Sequence, residues 1–449
     1  MNNPIPKNLL LVTIALIYGS FAQASDPIKK ETTVELKKEL AKIKQEYLSQ
    51  LDQLEKRIEQ AELLNEETQE DIEQLAIEVS QKSNQTSANT FNPAIGMILN
   101  GRWVNVSDHV EYSVPGFFLG EEIGPGDDGL QLGESELNIS ANADDLFYAS
   151  TTIAFGEEAE IEEAYIQTLA LGNGFNIKTG KFFSSIGYLT SKHAHTDDFA
   201  SRALPYEMFL GGQYGDAGIQ ITWLAPTNLF WESGFEIFRG DSFPASGAEH
   251  SGMGVWSVFT HTGGDFTENQ SWRAGVSLLD ADVADRESNR GETFSGSSQL
   301  WIADFIFKWI PSGNQSSQGF KLQGEYFSRK EKGLFNPSDL SNTNLSDIYF
   351  TSDSYGWYLQ GIYRFNRQWR IGIRKAELSS RQLPTVFNDS LFDFQKSSPK
   401  QTTLMLDWSN SEFSRFRLQY DHYHFIGDQS HGWILQYITA FGAHGAHSF

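Results

Sequence analysis

The chain contains no cysteine among its 449 residues, so disulfides and thiolate metal sites are excluded. Its formal net charge is −24, which argues against nucleic acid as a partner. No segment beyond the N-terminus approaches the roughly 18 unbroken apolar residues of a membrane-spanning helix, so a helical membrane protein is also excluded. Aromatic residues are distributed unevenly, since all 11 Trp and 32 of the 33 Phe follow Thr90.

The first residues have the three-part pattern of a secretory signal peptide. Lys7 precedes an apolar run over 9–17, and the small residues Ala22 and Ala24 follow. About nine apolar residues are too few for a membrane anchor, which needs roughly 20. We therefore expect residues 1–24 to be a signal peptide that is removed on export.

Residues 25–90 contain no Gly and no Trp, a single Pro at Pro27, 9 Lys+Arg and 15 Asp+Glu. Their apolar positions recur by three and four, which predicts a coiled coil over 25–80 in the periplasm and a polar linker over 81–92. The alternative is one amphipathic helix that folds back on its own domain. A coiled coil before a barrel favours a homotrimer held together through 36–79. The predicted seam contains Leu36, Leu40, Ile43, Tyr47, Leu51, Leu54, Ile58, Ala61, Asn65, Thr68, Ile72, Leu75 and Val79.

After Pro93 the apolar period changes from 3.5 to 2, which is the period of a half-buried strand. In "WRIGIR", for example, Trp369, Ile371 and Ile373 alternate with polar or small residues. Sixteen segments of this kind follow one another. They start near Ile95, Leu130, Leu146, Glu160, Phe175, Ala217, Leu229, Gly254, Ser271, Ser298, Phe320, Tyr355, Trp369, Gln401, Arg415 and Gly432.

The connections between these segments alternate in length. Every second one is short, while the others include long ones at 107–130, 188–216, 239–253, 282–297, 329–353 and 379–400. This layout predicts an all-β transmembrane barrel over 93–449: sixteen antiparallel strands in the outer membrane of a diderm bacterium, with short periplasmic turns and long external loops. A soluble β-sandwich or propeller is the alternative, but it would not need long loops on one side only. Outer-membrane lipid and lipopolysaccharide are the expected surroundings.

The polar face of the predicted strands lines the lumen. An acidic wall is expected from early strands and a basic ladder from later ones, and a field between them would orient polar solutes. Arginine binds carboxylate bidentately, so the ladder suggests carboxylate-bearing solutes. The alternative is that these charges only neutralise one another. The acidic wall contains Glu134, Glu136, Glu232 and Glu236, and the basic ladder contains Lys308, Lys321, Arg364, Arg370, Arg374, Arg415 and Arg417.

The sequence "HAHTDD" lies in the predicted third external loop, at 188–216. Two His at i, i+2 followed by two Asp suggest the zinc ligands of metallohydrolases, but Asp198 stands where that motif has a further His. We expect no enzyme and no cofactor, and whether the segment binds a metal stays open. Glycines at 211, 212 and 215 would let the loop fold inward and narrow the pore; the alternative is a solvated polar loop. The residues expected at the constriction or in contact with solute are His193, His195, Asp197, Asp198, Arg202 and Tyr206.

The stretch from Asn92 to Trp272 resembles the LbtU family of siderophore porins, named for the legiobactin receptor. The residues that carry the resemblance include "NPAIGMILNGRW", "LPYEMFLGGQYGD" and "FRGDSFPA". The resemblance implies a sixteen-stranded barrel that takes up an iron–siderophore without a plug domain or TonB coupling. Two alternatives stay open: a general or anion-, sugar- or metal-ion-selective diffusion porin, and a coiled-coil envelope tether carried on a barrel.

Overall fold

A computed structural model of the chain contains two units, Met1–Thr90 and Phe91–Phe449. In the first unit, the described residues are helical and exposed. The predicted signal peptide, the linker up to residue 92 and the predicted coiled-coil seam all lie outside the described residues. The structure describes residues 37–38, 41–42, 44–45, 48–49, 93–107, 114, 117, 124, 127–156, 159–169, 171–246, 252–288, 293–311, 318–336, 348–381, 398–425 and 428–442.

The second unit is built from strands that follow the predicted period of two. In chain order they are β1 (Ala94–Val106), β2 (Gly129–Leu132), β3 (Ser135–Asn142), β4 (Phe147–Phe155), β5 (Ala159–Thr168), β6 (Phe175–Phe183), β7 (Gly215–Leu224), β8 (Phe230–Phe238) and β9 (Val255–Thr267). They continue with β10 (Gln270–Glu287), β11 (Thr293–Trp309), β12 (Gly319–Asn336), β13 (Ile348–Arg364), β14 (Trp369–Arg381), β15 (Lys400–Ser411), β16 (Ser414–Phe425) and β17 (Asp428–Gly442).

The sheet closes on itself. Each strand from β3 to β16 pairs antiparallel with the next, and β1 pairs with β17 at one side and with β2 and β3 at the other. Because β2 and β3 both lie against β1, at Gly101↔Leu132 and Ile98↔Glu136, they form one interrupted barrel strand. The result is a closed antiparallel barrel of sixteen strands, and the sixteen predicted segments are confirmed.

Side chains alternate between the two faces of the barrel wall. On β14 the outward Trp369, Ile371 and Ile373 are 38 %, 46 % and 54 % exposed, whereas the inward Arg374 is 2 % exposed. Other strands repeat this pattern, with apolar residues outside and many buried polar residues inside. A closed barrel with an apolar outer face leaves no backbone group unpaired in hydrocarbon.

Successive connections lie at opposite ends of the barrel, as expected. Those at one end are short, as at 143–146 and 412–413, whereas the long connections at 184–214 and 239–254 lie at the other end. Two predicted loops are shorter than expected.

The connections predicted at 282–297 and 329–353 shrink to 288–292 and 337–347, because β10 to β13 are 17 or 18 residues long. Beyond the hydrocarbon layer neither face of a strand has to be apolar, so the alternation ends while the backbone ladder continues. The sequence period therefore marks the membrane-facing part of a strand and underestimates its length.

The connection 184–214, here called the inner loop, contains a 3₁₀ turn at Ala194–Thr196 and a helix α1 at Leu204–Leu210. Pro205 stands in the first turn of α1, where its missing N–H costs nothing, and Gly211 ends the helix with a φ of 62°. All seven residues of α1 are buried. Within the described parts of the chain, no helix has the length and apolar character needed to cross a membrane.

We expect a charge on the outer face to be costly. Replacing Ile373 with Lys puts an ammonium among Leu404 and its apolar neighbours, so the free energy of unfolding in lipid should fall by roughly 2–4 kcal/mol. Gln368→Lys, in the exposed turn before β14, is the control and should change little. Denaturant titration in liposomes measures both, and equal effects would contradict the assignment of the two faces.

Candidate functional site in the barrel interior

The inner loop lies inside the barrel. It contacts Glu136 on β3, Lys321 on β12 and Arg417 on β16, which are spread around the closed sheet. Only a segment within the lumen can reach inward side chains on all three strands. The prediction that this loop folds inward therefore agrees with its contacts.

Arginines of the predicted basic ladder bind the backbone of the inner loop. Arg415 donates to the carbonyl oxygen of His195 at 2.7 Å, and Arg417 donates to that of Asp197 at 2.7 Å. Arg374 donates to the carbonyl oxygen of residue 201 at 2.8 Å. A loop with little regular secondary structure cannot pair all of its backbone carbonyl oxygens within itself, and these guanidinium groups supply the missing donors.

Asp198 joins the inner loop to two strands through its carboxylate. Its oxygens lie 2.9 Å from Lys321 Nζ and 2.9 Å from Arg370 Nη1. Arg370 also pairs with Asp407, which in turn lies 2.8 Å from Arg417 Nε. Burial would raise the pKa of Asp198, but the charges of Lys321 and Arg370 outweigh it and hold that pKa well below its usual value. Asp198 is therefore an ionised anchor of the inner loop.

Asp197 faces a different partner. Its carboxylate lies 2.9 Å from Arg202 Nε, and Arg202 also donates to the carbonyl oxygen of Leu189 at 2.7 Å. Burial raises the pKa of Asp197, and the charge of Arg202 opposes that rise. Arg202 thus holds the inner loop to itself rather than to the wall, and neither aspartate of "HAHTDD" turns toward the histidines.

Helix α1 anchors the inner loop through packing. The hydroxyl of Tyr206 donates to Glu325 on β12 at 2.8 Å and accepts from the backbone N–H of Leu189 at 2.9 Å. Phe209 stacks on Phe327 at 5.8 Å between ring centroids. Inward apolar residues on β10 to β14 complete this buried cluster. The predicted lumen, lined by polar side chains, did not include them.

On the opposite side, the two histidines face the acidic wall. His195 Nδ1 lies 2.6 Å from Glu136 Oε1, and His193 Nδ1 lies 3.0 Å from Glu136 Oε2. His193 Nε2 lies 3.0 Å from Glu163 Oε2. Burial lowers the pKa of His193, but the neighbouring carboxylates of Glu136, Glu162 and Glu163 outweigh it and raise that pKa well above its usual value.

Glu162 and Glu163 were missing from the predicted acidic wall because of a β-bulge. Thr152 pairs with Glu163 while Ile153 pairs with Ile161, so one residue of β5 has no partner on β4. A bulge turns two successive side chains toward one face, which breaks the alternation that the sequence reading relies on. The other predicted acidic residues are inward too: Glu236 is fully buried, and Glu232 lies 3.6 Å from His261 Nδ1.

Five neighbouring strands each present an inward cation at about the same level. Lys308 stands directly opposite Lys321, and Arg364 stands directly opposite Arg370. With Arg273 on β10, these residues are here called the basic row. Like charges directly opposite each other destabilise a sheet, so this arrangement is costly unless anionic groups offset it.

The basic row continues onto the inner loop at Tyr188. The Tyr188 ring lies within 4.6 Å of Lys192 Nζ, 5.1 Å of the Arg273 guanidinium and 5.0 Å of Lys321 Nζ, measured to the ring centroid. The basic ladder predicted from the sequence did not include Lys192 or Arg273. Alternation around Trp272 would have placed Arg273 inward, whereas nothing in the sequence brings Lys192 to the same place.

No family model matches the chain. An uncharacterized protein of Aquifex aeolicus (strain VF5) is 28 % identical over an alignment of 397 residues. The alignment covers 81 % of this chain and 81 % of that protein. Three solved structures of similar backbone are OmpT, an outer membrane protein of Vibrio cholerae, an anion-selective porin from Comamonas acidovorans, and the outer membrane channel DcaP of Acinetobacter baumannii. In that order, their TM-scores are 0.49, 0.48 and 0.49, and their sequence identities are 8 %, 11 % and 11 %. Each comparison covers 78 % of this chain, and it covers 97 %, 99 % and 97 % of the other chain. Likeness at this level carries no argument about what this chain transports.

Removing Arg370 should destabilise the barrel. The variant Arg370→Ala leaves the carboxylates of Asp198 and Asp407, which are 11 % and 0 % exposed, with fewer cationic partners. Breaking a buried pair costs roughly 3–5 kcal/mol, so the free energy of unfolding should fall by about that amount. Urea titration in detergent micelles measures it.

The matched control is Lys400→Ala. Lys400 lies 3.3 Å from Glu377, but their side chains are 46 % and 28 % exposed. An exposed pair contributes about 0–1 kcal/mol, so this variant should unfold close to the wild type. If both variants lost the same stability, the Asp198 network would not be the anchor described above.

Proposed function

We propose that this protein is an outer-membrane diffusion channel for small polar solutes, with a preference for anions that carry carboxylates. The observation that supports this most strongly is the basic row. Two like-charged cross-strand pairs, Lys308–Lys321 and Arg364–Arg370, stand side by side on the inward face, at a cost to the sheet. Asp198 offsets part of that cost through Lys321 and Arg370, and an anion passing the row would offset more of it.

The inner loop supplies the second element of the proposal. Asp198 reaches Lys321 and Arg370 at the basic row, so a solute that follows this wall passes beside the loop. His193, His195 and Tyr206 hold the loop to the wall, and Asp197 and Arg202 connect parts of the loop to each other. We propose that these residues act as a constriction through the shape they impose. Guanidinium groups of the row would orient carboxylates, and lysines would attract them as point charges.

The solute that we propose is a ferric siderophore or a polar metabolite of similar chemistry. The resemblance to the LbtU family supports the siderophore, and a general or anion-selective porin is the alternative. A deletion strain grown under iron limitation on several siderophores tests this directly. Loss of growth on one of them is expected; equal growth on all would leave the channel but remove the siderophore.

Selectivity should follow the basic row. We expect the double variant Lys308→Gln, Arg364→Gln to shift the reversal potential in planar bilayers toward cations, with a permeability ratio lower by roughly twofold or more. The matched control Arg239→Gln, Lys400→Gln removes the same charge from exposed positions, with Arg239 57 % and Lys400 46 % exposed. An unchanged ratio in the first variant would contradict anion preference.

Anion preference should also depend on pH. Burial, together with the charges of Lys321 and Arg273, lowers the pKa of Lys192 to about 8. Lys192 is therefore cationic below that pH and neutral above it, so anion preference should fall as the pH rises from about 7 to 9. In Lys192→Met this step should disappear, and reversal potentials across that range measure it. A step that persists in the variant would assign the titration to another group.

A further inference from the structure

The inner loop meets β3 and β5 in a pocket whose carboxylates the transport proposal does not use. Its members, here called the loop–wall pocket, are Glu134, Glu136, Glu162, His193 and His195. One ligand atom each from Glu136, His193 and His195 lie within 4.8 Å of one another, and the same holds for Glu134, Glu136, Glu162 and His193. The two groups share Glu136 and His193, with His195 on one side of this pair and Glu134 and Glu162 on the other.

Two separations in the loop–wall pocket match those of ligands around a shared ion, whereas the 2.6 Å between His195 Nδ1 and Glu136 Oε1 is a hydrogen-bond distance. His193 Nδ1 lies 3.0 Å from Glu136 Oε2 and 3.4 Å from Glu162 Oε2. Bonds of about 2.0–2.1 Å to one metal place neighbouring ligand atoms about 2.9–3.4 Å apart, depending on the coordination number. Although these atoms are close, no described residue lies in hydrogen-bond geometry to His193 Nδ1.

Two further buried atoms of the pocket, Glu134 Oε1 and Glu162 Oε2, have no hydrogen-bond partner among the residues that the structure describes. Buried polar atoms are normally paired, and a cluster rich in acceptors is satisfied by a cation. His193 keeps 21 % and Glu162 keeps 15 % of its side-chain exposure, so an ion could enter from the lumen.

The backbone builds the loop–wall pocket from two local irregularities. The β5 bulge turns Glu162 inward beside Glu163, and the 3₁₀ turn at Ala194–Thr196 brings the rings of His193 and His195 to a stacked distance of 5.7 Å. By contrast, Asp197 and Asp198 face Arg202, Lys321 and Arg370, which excludes them from this ligand set.

We propose that the loop–wall pocket binds a divalent cation of borderline softness, such as Zn²⁺, through His193, His195 and Glu136, with Glu162 or Glu134 as a further ligand. Two imidazoles with carboxylates favour such an ion over Ca²⁺ or Mg²⁺, which prefer oxygen ligands. The bound ion fastens the inner loop to β3 and β5, opposite the arginines that hold its other side. A proton on His193, bridging the carboxylates without a metal, is the competing outcome.

Cobalt titration of the full-length protein, folded in detergent and freed of metal with EDTA, tests the proposal. Co²⁺ should bind at one ion per chain with a visible d–d band that Zn²⁺ abolishes, and the metal should raise the melting temperature by mass action. The double variant His193→Gln, His195→Gln should lose the band, and Glu136→Gln should weaken binding by roughly tenfold or more.

The control is His261→Gln, which removes another buried inward histidine that also lies beside a glutamate. This variant should bind Co²⁺ like the wild type. Absence of stoichiometric binding to the wild type, or equal binding in the double variant, would overturn the metal site and leave the proton bridge. Heat-modifiable migration in gels verifies that each barrel is folded. Because the readout is binding in detergent, its failure would leave the channel proposal unaffected.

Discussion

Closure of the sheet is the constraint on which the other features depend. Once β1 pairs with β17 and β3, the sheet has no free edge, and each strand must present one face to lipid and the other to a shared interior. The interior then collects charged side chains from all round the ring. Buried charges need partners, and the inner loop supplies many of them.

The inner loop is held by chemically different contacts on its two sides. Toward β12, β14 and β16 it offers Asp198 and backbone carbonyls to cations, and α1 adds an apolar contact between Phe209 and Phe327. Toward β3 and β5 it offers the imidazoles of His193 and His195 to carboxylates. A loop that is bound at both sides has little freedom to move. The barrel interior beside it therefore has a fixed shape and a fixed pattern of charge.

Several cations of the predicted ladder consequently have two tasks. Arg370 and Lys321 hold Asp198, yet they also belong to the basic row with Lys308 and Arg364. Fastening the loop explains why arginines are buried in the wall. Asp198 also offsets part of the repulsion within the two like-charged pairs, through Lys321 and Arg370.

The period of two was enough to predict the sixteen strands, their inward and outward faces, the side on which the long loops lie and the inward place of both charged walls, because closure in lipid imposes that pattern on every strand. Residues near irregularities escaped prediction: Glu162 and Glu163 at a bulge, and Lys192 on a loop without a period. The sequence by itself thus determined which face of each regular strand is turned to the interior. Only the tertiary structure decided which of them meet, since the partners of "HAHTDD" lie on strands far apart in the chain that only barrel closure brings within hydrogen-bond distance.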